Sequence, residues 1–313
     1  MYAYIIRRLI ATIPIMAIVA VFVFMLLHLS PGDPAAIIAG DFATEEQILK
    51  IREQLGLNDP LYVQFGGWLL NLLHGDMGQS IYSGLPVTKL IGQRLEPTLM
   101  LTLCTMLIAI TLAIPLGVIA AWKVGTWIDR AVMTLAVFGF SVPVFVIGYL
   151  LILGGSRKLG WFPVQGYTSI LESVPGFLSH IILPALTLGA VYMALIARMT
   201  RATMLDVLNE DYVRTAYAKG LATRKVLIKH ALKNAMVPIS TTIGLGVALL
   251  IGGVVVTESV FAIPGLGRLT VDAVLRTDYP VIQGVILVFS FTYVLLNLLI
   301  DLSYVLFDPR IRY

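Results

Sequence analysis

Of the 313 residues, 58% are hydrophobic and 13% charged, against roughly 45–50% apolar and 25% charged in a water-soluble domain, which excludes a chain that folds in water alone. The formal charge of +4 and pI near 9.1 come without a basic surface interleaved with aromatic residues, so they express membrane topology and not nucleic-acid binding. The lone cysteine, Cys104, excludes an internal disulfide or a cysteine-based metal cluster and reads as a small core residue. His28, His74, His180 and His230 never pair at i, i+4 as a helical metal site would.

Six stretches of about 20 residues lack Asp, Glu, Lys and Arg: 9–29, 98–122, 131–153, 177–197, 235–257 and 281–300. Each is long enough to cross about 30 Å of hydrocarbon at 1.5 Å per residue. Lipid offers backbone amides no partners and the runs do not alternate as barrel strands do, so each is predicted to be a helix. An all-α membrane protein with six spans follows. Pro14, Pro115, Pro143, Pro184 and Pro238 fall within five of the runs, where kinks are expected and not ends.

Arg7 and Arg8 precede the first run, whose 21 apolar residues exceed the roughly 7–15 of a cleavable signal. His28-Leu29-Ser30-Pro31 is a poor cleavage site, so a retained anchor is expected. The segment to residue 97 opens with the turn composition Pro31-Gly32-Asp33-Pro34. Thr44 and Gln47 have capping-box spacing, Ile48, Ile51 and Leu55 recur at helical intervals, and Gly56 is a stop, so a short amphipathic helix is predicted. A more apolar helix is predicted over 61–73, with Trp68, against the membrane interface or the bundle. This region reads either as a cap over the bundle or as part of a docking surface for an external partner.

Between the fourth and fifth runs, residues 198–233 carry eight basic and three acidic residues and no proline. A break is expected at 206–211, then a short helix from Asp211 to Lys219, acid at its positive end and lysine at its negative end, with Gly220 in the C′ position. Thr223 is placed to cap the next helix. Ala216 and Ala218 permit close approach, which suits a groove on another protein; attraction of a basic loop to anionic lipid is the alternative. In the fifth and sixth runs, Ser240, Thr241 and Thr242 with Gly244 and Gly246, and Asn297, either face a path for a polar solute or serve helix packing. Glu258, just past the fifth run, either binds a peptide amino group or caps a loop.

With the amino terminus inside, inner segments hold fourteen lysines and arginines and outer segments eight, so both termini are predicted to be cytoplasmic. No Gly-Lys dipeptide occurs, so there is no P-loop, and no catalytic constellation is present. An ion-coupled secondary transporter of small solutes is the rival from physics alone. Such proteins bury ionisable groups near the midplane, and the six runs contain none; Asp301 comes only at the end of the sixth. Energy must then arrive from outside the chain.

The stretch Glu210-Asp211-Tyr212-Val213-Arg214-Thr215-Ala216-Tyr217-Ala218-Lys219-Gly220, followed by His230-Ala231-Leu232-Lys233-Asn234-Ala235, resembles the EAA signature of ABC importer permeases, in the form seen in the dipeptide, oligopeptide, glutathione and nickel group. The likeness extends over the chain through Pro31-Gly32-Asp33-Pro34, Leu55-Gly56-Leu57, Pro60-Leu61, Gly75-Asp76 before Gly78 and Ser80, Pro264-Gly265-Leu266-Gly267-Arg268, Asp278-Tyr279-Pro280 and Asp308-Pro309-Arg310-Ile311-Arg312, as in the B-type subunit. The acid and first alanine of the EAA triplet are not literal, since Arg214-Thr215-Ala216 stands there.

The resemblance implies the type I importer transmembrane fold, with an amino-terminal span and extracytoplasmic region over 1–97 and a core permease over 98–313. It implies that 210–220 is a coupling helix seated in a cytoplasmic ATPase, with Glu210, Asp211, Tyr212, Arg214, Thr215, Ala216, Ala218, Lys219 and Gly220 as its contact residues. It further implies a second, similar permease, two ABC ATPases that hold ATP and Mg2+, an extracytoplasmic solute-binding protein and a bacterial inner membrane. No cofactor or metal is expected on this chain. The solute would be a di- or oligopeptide or a peptide-like compound such as glutathione, its identity set largely by the binding protein.

Overall fold

The computed structural model describes residues 2–29, 34–39, 43–54 and 56–307, and all regular structure among them is helical. The turn at Pro31, Gly32 and Asp33, Leu55, the side chains of Arg7, Arg8, Ile51 and Asp301, and the closing Asp308 to Arg312 lie outside the described residues.

α1 (Tyr2–Leu29) continues through Pro14, and α2 (Pro34–Ala39) follows. α3 (Glu45–Gln54) carries the expected capping box: the Thr44 amide donates to Gln47 Oε1 at 2.9 Å and the Gln47 amide to Thr44 Oγ1 at 3.4 Å. Gly56, at φ +64°, ends it. α4 (Leu61–Leu73) matches the predicted apolar helix. α5 (Val87–Trp122) is 36 residues long and absorbs Pro97 and Pro115.

The third apolar run departs from expectation. α6 (Trp127–Ser141) stops, and α7 (Val144–Leu151), prolonged by a π-helical turn (Ile152–Lys158), leaves at 105° to it. Pro143 therefore ends a helix where a kink was expected. Proline disfavours the α conformation in the residue before it, and Val142 is extended at ψ 129°, so the new helix starts from Pro143 as its cap.

α8 (Val174–Leu208) begins where Ser173 Oγ accepts from the Gly176 amide at 3.2 Å, passes through Pro184 and runs eleven residues past its apolar stretch. α9 (Asp211–Ala218), α10 (Thr223–Lys225) and a π-helical segment (Val226–Leu232) lead into α11 (Lys233–Val260), which continues through Pro238. Thr223 does not cap α10: Ala222 holds the cap position and Thr223 is the first helical residue. α12 (Leu266–Leu275) and α13 (Tyr279–Phe307) complete the chain. Among the described residues α1, α5, α8 and α13 are long and apolar enough to span a bilayer, the bent pair makes a fifth candidate, and α11 carries the remaining run over 28 residues.

The chain forms two compact units. In one, Leu95–Arg268 with Leu295–Tyr313, the core joins Leu101, Met106 and Ala109 of α5, Leu188, Tyr192 and Ile196 of α8, and Leu250 and Val254 of α11. Helix association in lipid depends on close packing, and small residues permit it. A Cβ on Gly117 would stand 2.7 Å from the Ala197 carbonyl oxygen, and one on Gly139 2.8 Å from that of Ala190, so α5 and α6 both meet α8 backbone to backbone.

In the other unit, Tyr2–Arg94 with Leu269–Val294, Phe24 of α1 packs against Phe65 and Trp68 of α4 at ring-centroid distances of 5.3 and 5.8 Å. His28 Nε2 lies 3.1 Å from Gln64 Oε1, and Gln283 of α13 donates to the Val23 carbonyl at 3.0 Å. Hydrogen-bonded polar groups thus fasten α1 to the helices beside it.

Candidate functional site

The segment between α8 and α11 is built as a small folded elbow. α8 ends at Leu208, where the Asn209 side chain donates back to the Leu205 carbonyl at 3.0 Å, and Glu210 becomes the extended cap of α9. The far end closes as a Schellman motif. The Gly220 amide donates to the Tyr217 carbonyl at 2.9 Å and the Leu221 amide to that of Ala216 at 3.3 Å. Gly220 at φ +75° makes this turn without strain.

One face of α9 is turned inward. Val213 and Ala216 pack with Val226 against Val207, Leu208 and Leu221. Of the two alanines singled out in the sequence, Ala216 therefore serves the chain's own packing, and Ala218 alone lies on the exposed face, with Asp211, Tyr212, Arg214, Thr215, Tyr217, Lys219 and Gly220. Thr215 donates to the Asp211 carbonyl at 2.9 Å, and Asn234, at the base of α11, donates to the Tyr212 hydroxyl at 2.9 Å. The Arg214–Asp211 pair, 3.4 Å apart and open to solvent, is worth only a few tenths of a kcal/mol. What α9 offers is an ordered, largely polar ridge with two half-exposed tyrosines, joined to α8 at its first turn, where Tyr212 also ties it to Asn234 of α11.

A second feature stiffens the same end of α8. Arg201 Nε and Nη2 donate to Asp129 Oδ1 and Oδ2 at 2.6 and 2.7 Å, and the Gly125 amide adds a third bond at 3.0 Å. Both residues lie outside the apolar runs. Hydrogen bonding from Arg201 holds the Asp129 carboxyl below its ordinary value, with desolvation opposing and the Gly125 amide assisting. The Arg201 guanidinium is correspondingly raised. Sequence reading missed this pair because its members are 72 residues apart; the one signal was an acid in the first turn of α6 within a basic loop.

The polar residues of α11 and α13 divide. Thr241 and Thr242 donate to the Val237 and Pro238 carbonyls of their own helix at 3.0 Å each; Ser240 and Asn297 are half-buried. Gly246 takes Met106 and Tyr192 close against its backbone, and Gly244 is buried. Glu258 lies within α11 and is fully buried. Its Oε1 accepts from Thr98 Oγ1 at 2.6 Å, its Oε2 from the Arg268 amide at 2.9 Å, and Thr98 Oγ1 accepts from the Leu266 amide at 2.8 Å. The carboxylate thus sits at the amino terminus of α12, where amides and dipole favour negative charge. Among the described residues no group of three or more His, Cys, Asp and Glu could hold a metal ion.

Comparison with known proteins gives this geometry a context. The family described as "Binding-protein-dependent transport system inner membrane component" matches residues 113–313, and its amino-terminal companion, "Binding-prot-dependent transport system membrane comp, N-term", matches 1–102. The chain is 55% identical over all 313 residues to a probable peptide ABC transporter permease protein of Sinorhizobium fredii (strain NBRC 101917 / NGR234), covering 100% of both chains. It is 46% identical to a putative peptide transport system permease protein of Brucella abortus (strain 2308) and 48% identical to the glutathione transport system permease protein GsiC of Escherichia coli (strain K12), again over 100% of each chain. Among solved structures, an inward-facing form of the MetNI methionine ABC transporter superposes with a TM-score of 0.58 at 17% identity, over 70% of this chain and 96% of that one. That likeness carries the fold alone.

Proposed function

Because the chain belongs to the family of binding-protein-dependent transport system inner-membrane components, we propose that it is the permease through which a bacterial ABC importer takes up di- or oligopeptides or a related peptide-like solute such as glutathione. It is a multi-pass membrane protein and a non-catalytic subunit; in ABC transporters ATP is hydrolysed by partner subunits. The single observation that carries the solute class is end-to-end similarity to peptide and glutathione permeases.

In this reading the protein lies in the bacterial inner membrane with both termini cytoplasmic, 1–97 forming the first span and extracytoplasmic region and 98–313 the core. It pairs with a second, homologous permease, two ABC ATPases that bind ATP and Mg2+, and an extracytoplasmic solute-binding protein, and it carries no cofactor of its own. The exposed ridge of α9 seats in the ATPase. Closure of the ATPases on ATP moves α9, and the α8 extension above it, stiffened by Asp129 and Arg201, passes the displacement to the spans as a rigid-body switch. Ser240, Thr241, Thr242 and Asn297 are the candidates for the path. Glu258, whose carboxylate is taken up by Thr98 and Arg268, holds the wall of that path and does not meet the solute.

The test is uptake into liposomes holding the complete complex, with peptides and glutathione presented by the cognate binding protein. ATP-dependent uptake that survives a protonophore is expected. Uptake that collapses with the proton gradient at fixed ATP would overturn the reading in favour of ion coupling.

A further inference from the structure

We propose that Arg276 and Tyr82 form the anchor that receives an acidic side chain of the extracytoplasmic solute-binding protein. The inference rests on the reading above that such a protein is a partner. By the charge-based topology, both residues lie on the extracytoplasmic side, Tyr82 between α4 and α5 and Arg276 just after α12.

The guanidinium carbon of Arg276 lies 3.9 Å from the centre of the Tyr82 ring. Tyr82 is 67% exposed, and Arg276 is exposed as well. Among the described contacts the ring is the only partner of the guanidinium, and the exposure of Arg276 leaves its donors open to solvent. A guanidinium stacked on an aromatic face keeps a planar fork that matches a carboxylate. Arginine and tyrosine are also the residue types over-represented among the few that dominate the energy of protein interfaces.

The pair is held in place from beneath. Asp278 accepts from the Ser80 hydroxyl at 2.5 Å and from the Ile81 amide at 3.1 Å, which fixes the loop immediately before Tyr82. Between Arg276 and Asp278 the chain turns through Thr277 at φ +53°, a left-handed conformation that a β-branched residue adopts only when its surroundings impose it. A long side chain normally loses rotamer freedom on binding; here much of that ordering is already present.

Arg276 and Tyr82 border a cleft of about 180 Å³ into which Arg94, Asp272 and Asp278 also open, and the neighbouring Leu275 is 80% exposed. Cations and carboxylates alternate there within one small surface. An anionic lipid surface would meet the two aspartates as well as the arginines, whereas a protein surface can present an acid to Arg276 and apolar or basic groups beside it. Charge complementarity therefore favours a protein.

The experiment measures the affinity of the purified binding protein for the assembled permease–ATPase complex in nanodiscs, of neutral lipid and of lipid containing phosphatidylglycerol. Arg276→Gln is expected to weaken binding about tenfold or more in both lipids, with a shallower salt dependence than the wild type. Arg276→Lys, which keeps charge but loses the fork, should fall between, and Tyr82→Leu should also weaken binding. Unchanged affinity in Arg276→Gln and Arg276→Glu, with the wild type binding normally, overturns the anchor and leaves the partner reading intact. An effect confined to phosphatidylglycerol discs overturns it in favour of a lipid headgroup. A wild-type complex that binds no such protein overturns both readings together.

Discussion

The carboxylate of Glu258 occupies the space where a side chain on Gly265 would begin: a Cβ there would stand 2.0 Å from Oε1 and 2.2 Å from Cδ. Gly267, whose Cβ would approach Oε2 to 3.0 Å and the Val255 backbone to 2.7 Å, completes the cradle. The Pro264-Gly265-Leu266-Gly267-Arg268 motif is therefore the negative image of one buried acid. Gly265→Ala should displace the carboxylate and leave its donors unmatched, at a cost of about 1–3 kcal/mol, read as a lower melting temperature of the purified subunit. In a Glu258→Ala background the same substitution should cost clearly less. An additive double-mutant cycle would refute the direct conflict.

Asp129 and Arg201 give a prediction with a sign in pH. Asp129 is 6% and Arg201 26% exposed at the side chain, so neutralising either partner should cost about 1–3 kcal/mol, and Arg201→Lys should recover only part through loss of the two-pronged contact. The folded-state pKa of Asp129 lies below the ordinary 3.8, so the stabilisation is fully present above that value and is lost as pH falls through the lowered one. Thermal melts of wild type and Asp129→Asn should therefore differ by a constant amount from pH 5 to 8 and converge only in strong acid. Convergence already near neutrality would contradict the assignment.

On α9 the structure separates two substitutions that look alike in sequence. Ala216→Asp buries a charge against Val213 and Val226 and should destabilise the elbow itself, visible as protease sensitivity between α8 and α11. Ala218→Asp, on the exposed face, should leave the elbow resistant to protease and abolish co-purification with the ATPase. Gly220→Val, at φ +75°, costs about 1–2 kcal/mol of backbone strain and should impair coupling by tilting the helix. Normal ATPase association in Ala218→Asp would remove this ridge from the mechanism.

Two glycines of the broken span should respond differently to the same methyl group. Gly139→Ala drives its Cβ to 2.8 Å from the Ala190 carbonyl oxygen, which is backbone and cannot rotate away. Gly148→Ala meets only side-chain atoms of Val260, Phe261 and Thr187, at 3.3–3.4 Å. The first should cost about 1–3 kcal/mol by overpacking and the second little, measured as thermal stability in one detergent.

Local chemistry carried what the sequence could say. The Thr44–Gln47 cap, the stops at Gly56 and Gly220 and the apolar helix from Leu61 to Leu73 all depend on neighbours within a few positions, and all stand where spacing put them. Pro143 did not behave as Pro115, Pro184 and Pro238 do, because whether a proline bends or ends a span depends on what packs beside it. Thr223 lost the cap position to Ala222 by one residue. The polar contacts that organise the site, Asp129 with Arg201 and Glu258 with Thr98, join residues 72 and 160 positions apart, and no periodicity records them. The orientation of α9, which turns Ala216 inward, follows from packing on Val226 and was equally invisible.

The elbow at Val142 sets a condition on where this subunit can live. α6 reaches only about 22 Å, and the second arm, partly π-helical, no further, so neither crosses the roughly 30 Å of a hydrocarbon layer alone, and a span made of both would carry its corner inside that layer. Acyl chains give nothing to carbonyls that a broken helix sets loose. Ser141 and Pro143 are exposed in this chain, so in the proposed importer a neighbouring subunit or water would have to lie beside them. In that reading, assembly would complete the solvation of this corner.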